Sequence, residues 1–230
     1  MERHVIHANK VLLAATFAVL SLVLLSGETW AQGHEGHNHG PSGHNLKEVP
    51  LQELNKPGSL QDISIGKSDA KIIIIEYASM TCGHCGRFHR DLLPKLKSKY
   101  IDTGLARLIV REFPLEKVAL GVSLLPRCVS PGKRYDFVAA LFDRQQWWLQ
   151  RGNVRPKLLV MSKEFGMTKR AFEECLSNEL LVERILSGRK RAIEEFGVKS
   201  TPTFFINGKP LAGPQSIEEF DEIIEPMLKQ

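Results

Sequence analysis

Long apolar runs, repeated sequence units and dense clusters of one charge are all scarce in this chain of 230 residues. The one extended apolar stretch covers residues 11–25, and no later segment reaches the roughly 20 apolar residues that a membrane-spanning helix needs. The net charge is only +5, and the basic residues are spread over segments with helical periodicity. The sequence therefore indicates neither a protein with several membrane spans nor a nucleic-acid-binding protein.

Cysteine is also scarce, with four residues in total. One Cys-x-x-Cys pair is present, in the run Cys82-Gly83-His84-Cys85. Because no second such pair exists, a zinc site made of two such pairs is excluded. A zinc site that combined this pair with His84 or His89 would still need a fourth ligand from elsewhere in the chain.

The first 31 residues have the layout of a secretory signal peptide. Arg3 and Lys10 precede the apolar stretch, and Thr29-Trp30-Ala31 follows it as a candidate cleavage site. We predict cleavage after Ala31 and a periplasmic or secreted location, with an uncleaved membrane anchor as the alternative. Disulfide bonds persist in such oxidising compartments.

Residues 32–58 are predicted to form a flexible leader and linker, because the start of this segment is rich in glycine and histidine and has almost no apolar side chains. Its histidines leave open weak metal scavenging, and also a non-catalytic metal- or peptide-binding module as the main function. These histidines are His34, His37, His39 and His44.

The rest of the chain, residues 59–230, is predicted to form one domain with alternating strands and helices. Strands are expected at 63–65, 71–78 and 105–112, with a helix over 82–100 that Pro94 bends without ending. Joining the second and third strands through that helix makes a right-handed βαβ unit.

An all-helical insertion is predicted over about residues 115–187, and a further helix continues to residue 196. A strand at 203–206, a tight turn at Asn207-Gly208, a returning strand and a closing helix over 216–229 complete the pattern. The expected architecture is an α/β domain with a mixed sheet. Cys128 and Cys175 both fall in the helical insertion, where a structural disulfide is predicted, with two buried free thiols as the alternative.

The position of Cys82 at a strand-to-helix junction predicts a reactive thiolate. The unpaired N–H groups and the positive end of the helix would lower the pKa of Cys82, and Cys85, one turn deeper, would act as the resolving thiol. His84 could add positive charge or a hydrogen bond to the Cys82 thiolate, and the alternative is an exposed ring at a variable position.

Three separated segments together resemble the DsbA-like branch of the thioredoxin superfamily. The first is EYASMTCGHC at residues 76–85, the second is the helical block that follows EFPL at 112–115, and the third is GVKSTPTFFING at 197–208. The resemblance covers the chain from Ile63 to its end. It implies a thioredoxin-like mixed sheet with an inserted all-helical subdomain.

The resemblance also implies roles for three further residues. Thr201 and Pro202 would form a substrate-binding loop opposite Cys82, with a cis peptide bond between them, and an ordinary trans proline is the alternative. Glu76 would be the buried acid of the family and exchange a proton with Cys85. The alternative is that Glu76 is a carboxylate at the end of a strand that reaches water.

The implied activity is that of a thiol:disulfide oxidoreductase whose only redox group is the Cys82–Cys85 disulfide, without a metal or other cofactor. We expect an oxidase that acts on reduced exported proteins and is reoxidised by a membrane partner of the DsbB type. An isomerase or reductase that acts on misfolded proteins is the alternative, because Gly83-His84 and Thr201 resemble isomerase sites. The leader before Ile63 is too short for the dimerisation domain of bacterial isomerases, so a monomer is expected.

Overall fold

The computed structural model describes residues 46–56, 58–150 and 152–230. The predicted signal peptide and the four histidines of the leader lie outside the described residues. Part of the predicted linker is packed against the domain. Leu54, at the end of helix α1 (Leu51–Leu54), is fully buried, and the N–H of Val49 donates to the carbonyl oxygen of Gly208 at 3.0 Å. The prediction of a flexible linker is therefore wrong for residues 46–56, because Val49 and Leu54 bury apolar surface.

In the described part of the chain, five strands form one mixed sheet with the order β1-β3-β2-β4-β5. Strands β2 and β3 are parallel, and the other neighbouring pairs are antiparallel. The predicted βαβ unit and the C-terminal hairpin are thus confirmed. The strands are β1 (Ile63–Ile65), β2 (Ile72–Ala78), β3 (Ala106–Glu112), β4 (Thr203–Ile206) and β5 (Lys209–Ala212).

A long helix over residues 83–101, here called the CxxC helix, connects β2 to β3. It consists of α2 (Gly83–Arg87), a π-helical turn (Phe88–Leu92), α3 (Leu93–Leu96) and a second π-helical turn (Lys97–Ile101). Pro94 lies in the first turn of α3, directly after a π-helical turn, where its missing N–H is tolerated. The helix continues through Pro94, as predicted.

The segment between β3 and β4 is helical, as predicted. Side-chain caps fix three of its helix starts. Glu116 accepts from the N–H of Ala119, Thr168 from that of Ala171, and Asn178 from that of Leu181. The last helix of this segment is continuous through residue 187, so the predicted insertion and the helix after it share one element. No described helix has the length and apolarity to cross a bilayer. The helices are α4 (Lys117–Leu124), α5 (Arg134–Asp143), α6 (Gln145–Trp148), α7 (Val154–Glu164), α8 (Lys169–Leu176) and α9 (Glu179–Glu194), and α10 (Glu218–Leu228) closes the chain.

Strand β2 is covered on both faces, which explains its four consecutive isoleucines. Ile72, Ile74 and Ala78 belong to a core that also contains Phe88 of the CxxC helix. The alternate residues Ile75 and Tyr77 belong to a second core, which includes Ala192 and Phe196 at the end of the α9 segment. Because side chains alternate along a strand, Glu76, which lies between Ile75 and Tyr77, is directed toward the CxxC helix.

Candidate active site

Cys82 lies in the turn between β2 and the CxxC helix and is the N-cap residue of α2. Its Sγ accepts a hydrogen bond from the N–H of Cys85 at 3.4 Å, and the carbonyl oxygen of Thr201 lies 3.2 Å away, where it accepts from Cys82 only while the sulfur is protonated. Hydrogen bonding with the Cys85 side chain is the largest effect on the pKa of Cys82, and the side chain of Thr201 and the N–H groups of Cys85 and His84 add to it. These contacts outweigh the opposing effect of burial and lower the pKa of Cys82 to about 5. The half-buried sulfur is therefore a thiolate at neutral pH.

Cys85 lies one helical turn deeper, and none of its surface is exposed. Burial is the main cause that raises the pKa of the Cys85 thiol well above its ordinary value, and the neighbouring Cys82 and Glu76 raise it further. Both cysteines are free thiols in this structure. The pair is thus chemically asymmetric, with an accessible thiolate at Cys82 and a buried thiol at Cys85.

The loop before β4 meets the site through Thr201 and Pro202. The Thr201–Pro202 peptide bond is cis, and the Thr201 carbonyl oxygen contacts the Cys82 sulfur as described above. The N–H of Gly213 donates to the carbonyl oxygen of Pro202 at 3.0 Å, which ties the loop to the end of the β4–β5 hairpin. Beside this loop lies a groove whose lining includes Arg87, Phe88, Asp91, Leu92, Pro202 and Pro214.

Glu76, the acid directed toward the CxxC helix, is fully buried. Its Oε2 lies 2.8 Å from Nε2 of His89, whose side chain is only 2% exposed. Its second carboxylate oxygen, Oε1, and the Nδ1 of His89 are both buried without a hydrogen-bond partner among the described residues. The geometry therefore excludes the alternative of a strand-end carboxylate that reaches water.

His84 occupies an exposed position between the two cysteines, and its Nδ1 lies 2.7 Å from Nη2 of Arg87. Because a guanidinium can only donate, Nδ1 accepts and the ring proton is on Nε2. Among the contacts that lower the pKa of Cys82, His84 contributes through its backbone N–H. The predicted contribution of the imidazole stays a prediction.

A side chain from the helical insertion holds the turn that carries Cys82. Gln145 of α6 is 3% exposed, and its Nε2 donates to the carbonyl oxygens of Met80 and Cys82 at 2.8 and 2.9 Å. The absence of a side chain at Gly86 makes room for Gln145, because a Cβ atom there would overlap with Oε1 of Gln145. Gln145 thus links the insertion to the redox site.

Sequence reasoning did not identify the positions of His89 and Gln145 in the site. The sequence offers His89 as a possible zinc ligand, but His89 also follows Cys85 by four residues and so shares its helix face. That spacing was an available signal. Gln145 is about 60 residues from Cys85 in sequence, and no local pattern connects the two. In the described part of the chain, no group of three or more His, Cys, Asp or Glu side chains is arranged to hold a metal ion.

Cys128 and Cys175 form a disulfide within the helical insertion, with 6.1 Å between their Cα atoms. The bond joins the 3-10 turn after α4 to α8, and Cys175 is 3% exposed. It therefore belongs to the core of the insertion.

Comparison with known proteins places this geometry in a family. A family model described as thioredoxin matches residues 59–226. A Rickettsia bellii protein that is named a protein-disulfide oxidoreductase is 32% identical over 148 residues, which is 64% of this chain and 57% of that protein. The match thus spans little more than half of that relative. The crystal structure of alpha-DsbA1 from Wolbachia pipientis superposes with a TM-score of 0.69 at 30% identity, covering 77% of this chain and 95% of that one.

Proposed function

The chain belongs to the thioredoxin family, in its DsbA-like branch, and from this premise we propose that it is an exported oxidase that introduces disulfide bonds into reduced proteins through Cys82 and Cys85. The observation that carries the proposal is the asymmetry of the two sulfurs. A pKa of about 5 makes Cys82 a good leaving group and stabilises the reduced protein, which favours transfer of the disulfide to a substrate.

The proposed transfer has two steps. A substrate thiolate attacks the Sγ of Cys82 in the oxidised protein, the Cys82–Cys85 bond breaks, and Cys85 leaves as a thiolate that takes up a proton. A second substrate thiolate then attacks the substrate sulfur of the mixed disulfide, and Cys82 leaves as a thiolate. Two substrate thiols are thereby oxidised to one disulfide, while the Cys82–Cys85 pair gains two electrons and becomes a dithiol.

The cis-proline loop and the adjacent groove supply the proposed substrate site. The Thr201–Pro202 segment lies against Cys82 and could pair with an extended substrate in the manner of a strand, next to the reactive sulfur. Glu76 is the proposed proton partner of Cys85, since its unpartnered Oε1 is buried and its charge acts on Cys85. His84 contributes its N–H to the thiolate.

Compartment, partner and assembly complete the proposal. The N-terminal sequence favours export, and an oxidase in an oxidising compartment needs a membrane protein of the DsbB type to remove the electrons that Cys82 and Cys85 collect. A monomer is part of the proposal. The second candidate is an isomerase or reductase in the same compartment, which the Gly83-His84 dipeptide and Thr201 favour.

The activity is tested by mixing the oxidised protein with a reduced, unfolded protein that requires disulfides. We expect disulfides to form in the substrate at the rate at which Cys82–Cys85 is reduced. Cys82→Ser should be inactive, because the attacked sulfur is gone. Unchanged disulfide formation with Cys82→Ser would reject the proposed site.

The direction of the reaction is tested in intact cells by trapping thiols with an alkylating reagent. An oxidase is held oxidised by its partner, so we expect most of the Cys82–Cys85 pair to resist alkylation. A pair that is mostly reduced would reject the oxidase and favour the isomerase or reductase.

A further inference from the structure

The buried pair of Glu76 and His89 is the feature that the proposed mechanism uses only in part. Glu76 is on β2 and His89 is on the CxxC helix, and their side chains are 0% and 2% exposed. A lone carboxylate in such a place would take up a proton rather than remain charged, because burying an unpaired charge is very costly. A protonated acid could not accept a proton from Cys85.

His89 is held in a position where it can donate a hydrogen bond to the Glu76 carboxylate. Its ring stacks on Phe142 with 4.0 Å between the ring centroids and an interplanar angle of 20°, and Phe88 contacts it edge-on at 5.3 Å. Its Nε2 lies 2.8 Å from Oε2 of Glu76, and this contact orients the ring together with the packing. Nδ1 has no partner among the described residues, and a bare lone pair is cheaper to bury there than an N–H group. We therefore assign the ring proton to Nε2.

The other described groups around the pair do not hydrogen-bond to the Glu76 carboxylate, so His89 is the group that stabilises its charge. Glu76 lies opposite Val110 and Phe204 in the sheet, and both are apolar. Among the described residues, His89 is the one basic side chain within ion-pairing distance of Glu76.

The other titratable and charged groups that face the pair lie on helices. They are Cys85 on the CxxC helix and Tyr135 on α5, whose pKa is raised first by burial and then by the charge of Glu76. Arg90, also on the CxxC helix, directs its Nη1 away to the carbonyl oxygen of Phe142 at 3.5 Å. Neither Tyr135 nor Arg90 donates a hydrogen bond to the carboxylate.

We propose that His89 is a positioning residue that keeps Glu76 a carboxylate, so that Glu76 Oε1 can take the proton of Cys85 and later return it. The inference rests on the proposed function. During reoxidation, Cys82 is joined to the partner's sulfur, the Cys85 thiol gives its proton to Glu76, and the Cys85 thiolate attacks Sγ of Cys82. The bond to the partner breaks, and the partner leaves as a thiolate. Glu76 then releases this proton to solvent and is a carboxylate again. In the opposite direction, Cys85 leaves as a thiolate and takes up a proton from solvent by way of Glu76.

The test separates the two steps with oxidised glutathione as the probe. Reduced protein is mixed with the probe, quenched with acid and analysed by mass spectrometry at several values between about pH 5.5 and 8.5. The first step forms the Cys82–glutathione disulfide, and the second, in which Cys85 attacks, releases glutathione. In wild type we expect the rate constant of the second step to vary by less than about threefold over this range, because the base is already in place.

His89→Phe keeps the aromatic packing but removes the donor. We expect its second step to be about tenfold slower near pH 6 and to recover steeply as the pH rises, while the first step changes by less than about twofold. His89→Gln retains an N–H donor and should keep at least about a third of the wild-type rate. Glu76→Gln should slow the second step, and adding His89→Phe should slow it no further, since both changes disable the same base.

The matched control is Phe142→Leu, which loosens the packing of His89 without removing its donor. It should lower the unfolding temperature and leave the pH profile of the second step unchanged. In addition, ¹⁵N NMR of His89 should show a protonated Nε2 and a bare Nδ1.

Several results would overturn the inference. They are a wild-type pH profile in His89→Phe, the same altered profile in Phe142→Leu, or a proton on Nδ1. Failure of the wild-type protein to form the Cys82–glutathione disulfide would instead reject the proposed function.

Discussion

At Cys82, main-chain and side-chain contacts converge on one sulfur. The Cys-x-x-Cys spacing and its place after a strand predicted the low pKa of Cys82, since any such cysteine meets the start of the next helix. The sequence could not predict which groups act. His84 suggested an imidazole contact, but its Nδ1 accepts from Arg87, and the effect of His84 on the pKa of Cys82 comes from its backbone N–H. Side-chain orientation depends on such local competition, which the spacing of residues does not encode.

The pKa of Cys82 makes the stability of the reduced protein depend on pH. The pKa is about 5 in the folded protein, below the ordinary value of 9.0. Folding therefore stabilises the thiolate fully above about pH 9, and this contribution is lost as the pH falls through about 5. Cys85, with its raised pKa, remains a thiol in this range and contributes nothing.

We expect the free energy of unfolding of the reduced form to fall relative to that of the oxidised form between about pH 8 and pH 4. The contribution at pH 7 is about 1 to 2 kcal/mol once solvent screening of the half-exposed sulfur is allowed for. Urea unfolding of both redox forms at a series of pH values measures it. The control is Cys82→Ser, which cannot form the Cys82–Cys85 disulfide, and its free energy of unfolding should lack the part of the fall on acidification that the reduced wild type owes to Cys82. A difference that stays constant with pH would contradict the expectation.

Among the structural elements, the CxxC helix depends on its contact with α6. Gly86 and Gly83 lie on the same helix but differ in their surroundings. A Cβ atom at Gly86 would overlap with Gln145, whereas one at Gly83 would meet no atom within 4 Å. This pair of glycines therefore allows a matched comparison.

We expect Gly86→Ala to lower the free energy of unfolding by about 1 to 3 kcal/mol, because Gln145 must move and release the carbonyl oxygens of Met80 and Cys82. Gly83→Ala should leave stability unchanged or slightly increased, since alanine favours a helix over glycine. The midpoints of urea unfolding give both values. Equal effects of the two substitutions would argue against the contact.

The disulfide between Cys128 and Cys175 stabilises the helical insertion. It closes a loop with a sequence separation of 47, and a loop of that size contributes about 2 to 4 kcal/mol. We expect Cys128→Ala/Cys175→Ala to lower the unfolding temperature by about 5 to 15 °C. Calorimetry with the Cys82–Cys85 pair reduced in both proteins makes the comparison. An unchanged unfolding temperature would show that the bond contributes little.

Across the whole molecule, hydrophobic pattern and turn residues predicted the order of strands and helices from residue 63 onward. The four isoleucines of β2 indicated a strand buried on both faces, and Asn207-Gly208 indicated the hairpin. The pattern did not predict that residues 46–56 pack against the domain. Their apolar groups, Val49 and Leu54, are too few and too far apart to form a periodic signal, and they are buried because one face of the sheet and α9 lie beside them.

The packing of this N-terminal segment is tested at Leu54. Leu54→Ala should lower the free energy of unfolding by about 2 to 4 kcal/mol, because the side chain is fully buried. Gln52→Ala, at an exposed position of the same helix, should change it by less than about 0.5 kcal/mol. Equal stability of the two variants would contradict the packing.

Deletion of residues 32–45 should preserve disulfide exchange. Loss of disulfide exchange in the shortened protein would instead favour a metal- or peptide-binding module as the main function.

The proposed chemistry depends on a fold that holds Cys82 as a thiolate opposite a buried Cys85 thiol. The ultraviolet absorbance of the thiolate, followed while the reduced protein is titrated, tests it most directly. We predict one thiolate transition with a midpoint at about pH 5 that is absent from Cys82→Ser and present in Cys128→Ala/Cys175→Ala. A first transition near the ordinary value of 9.0 would contradict the account.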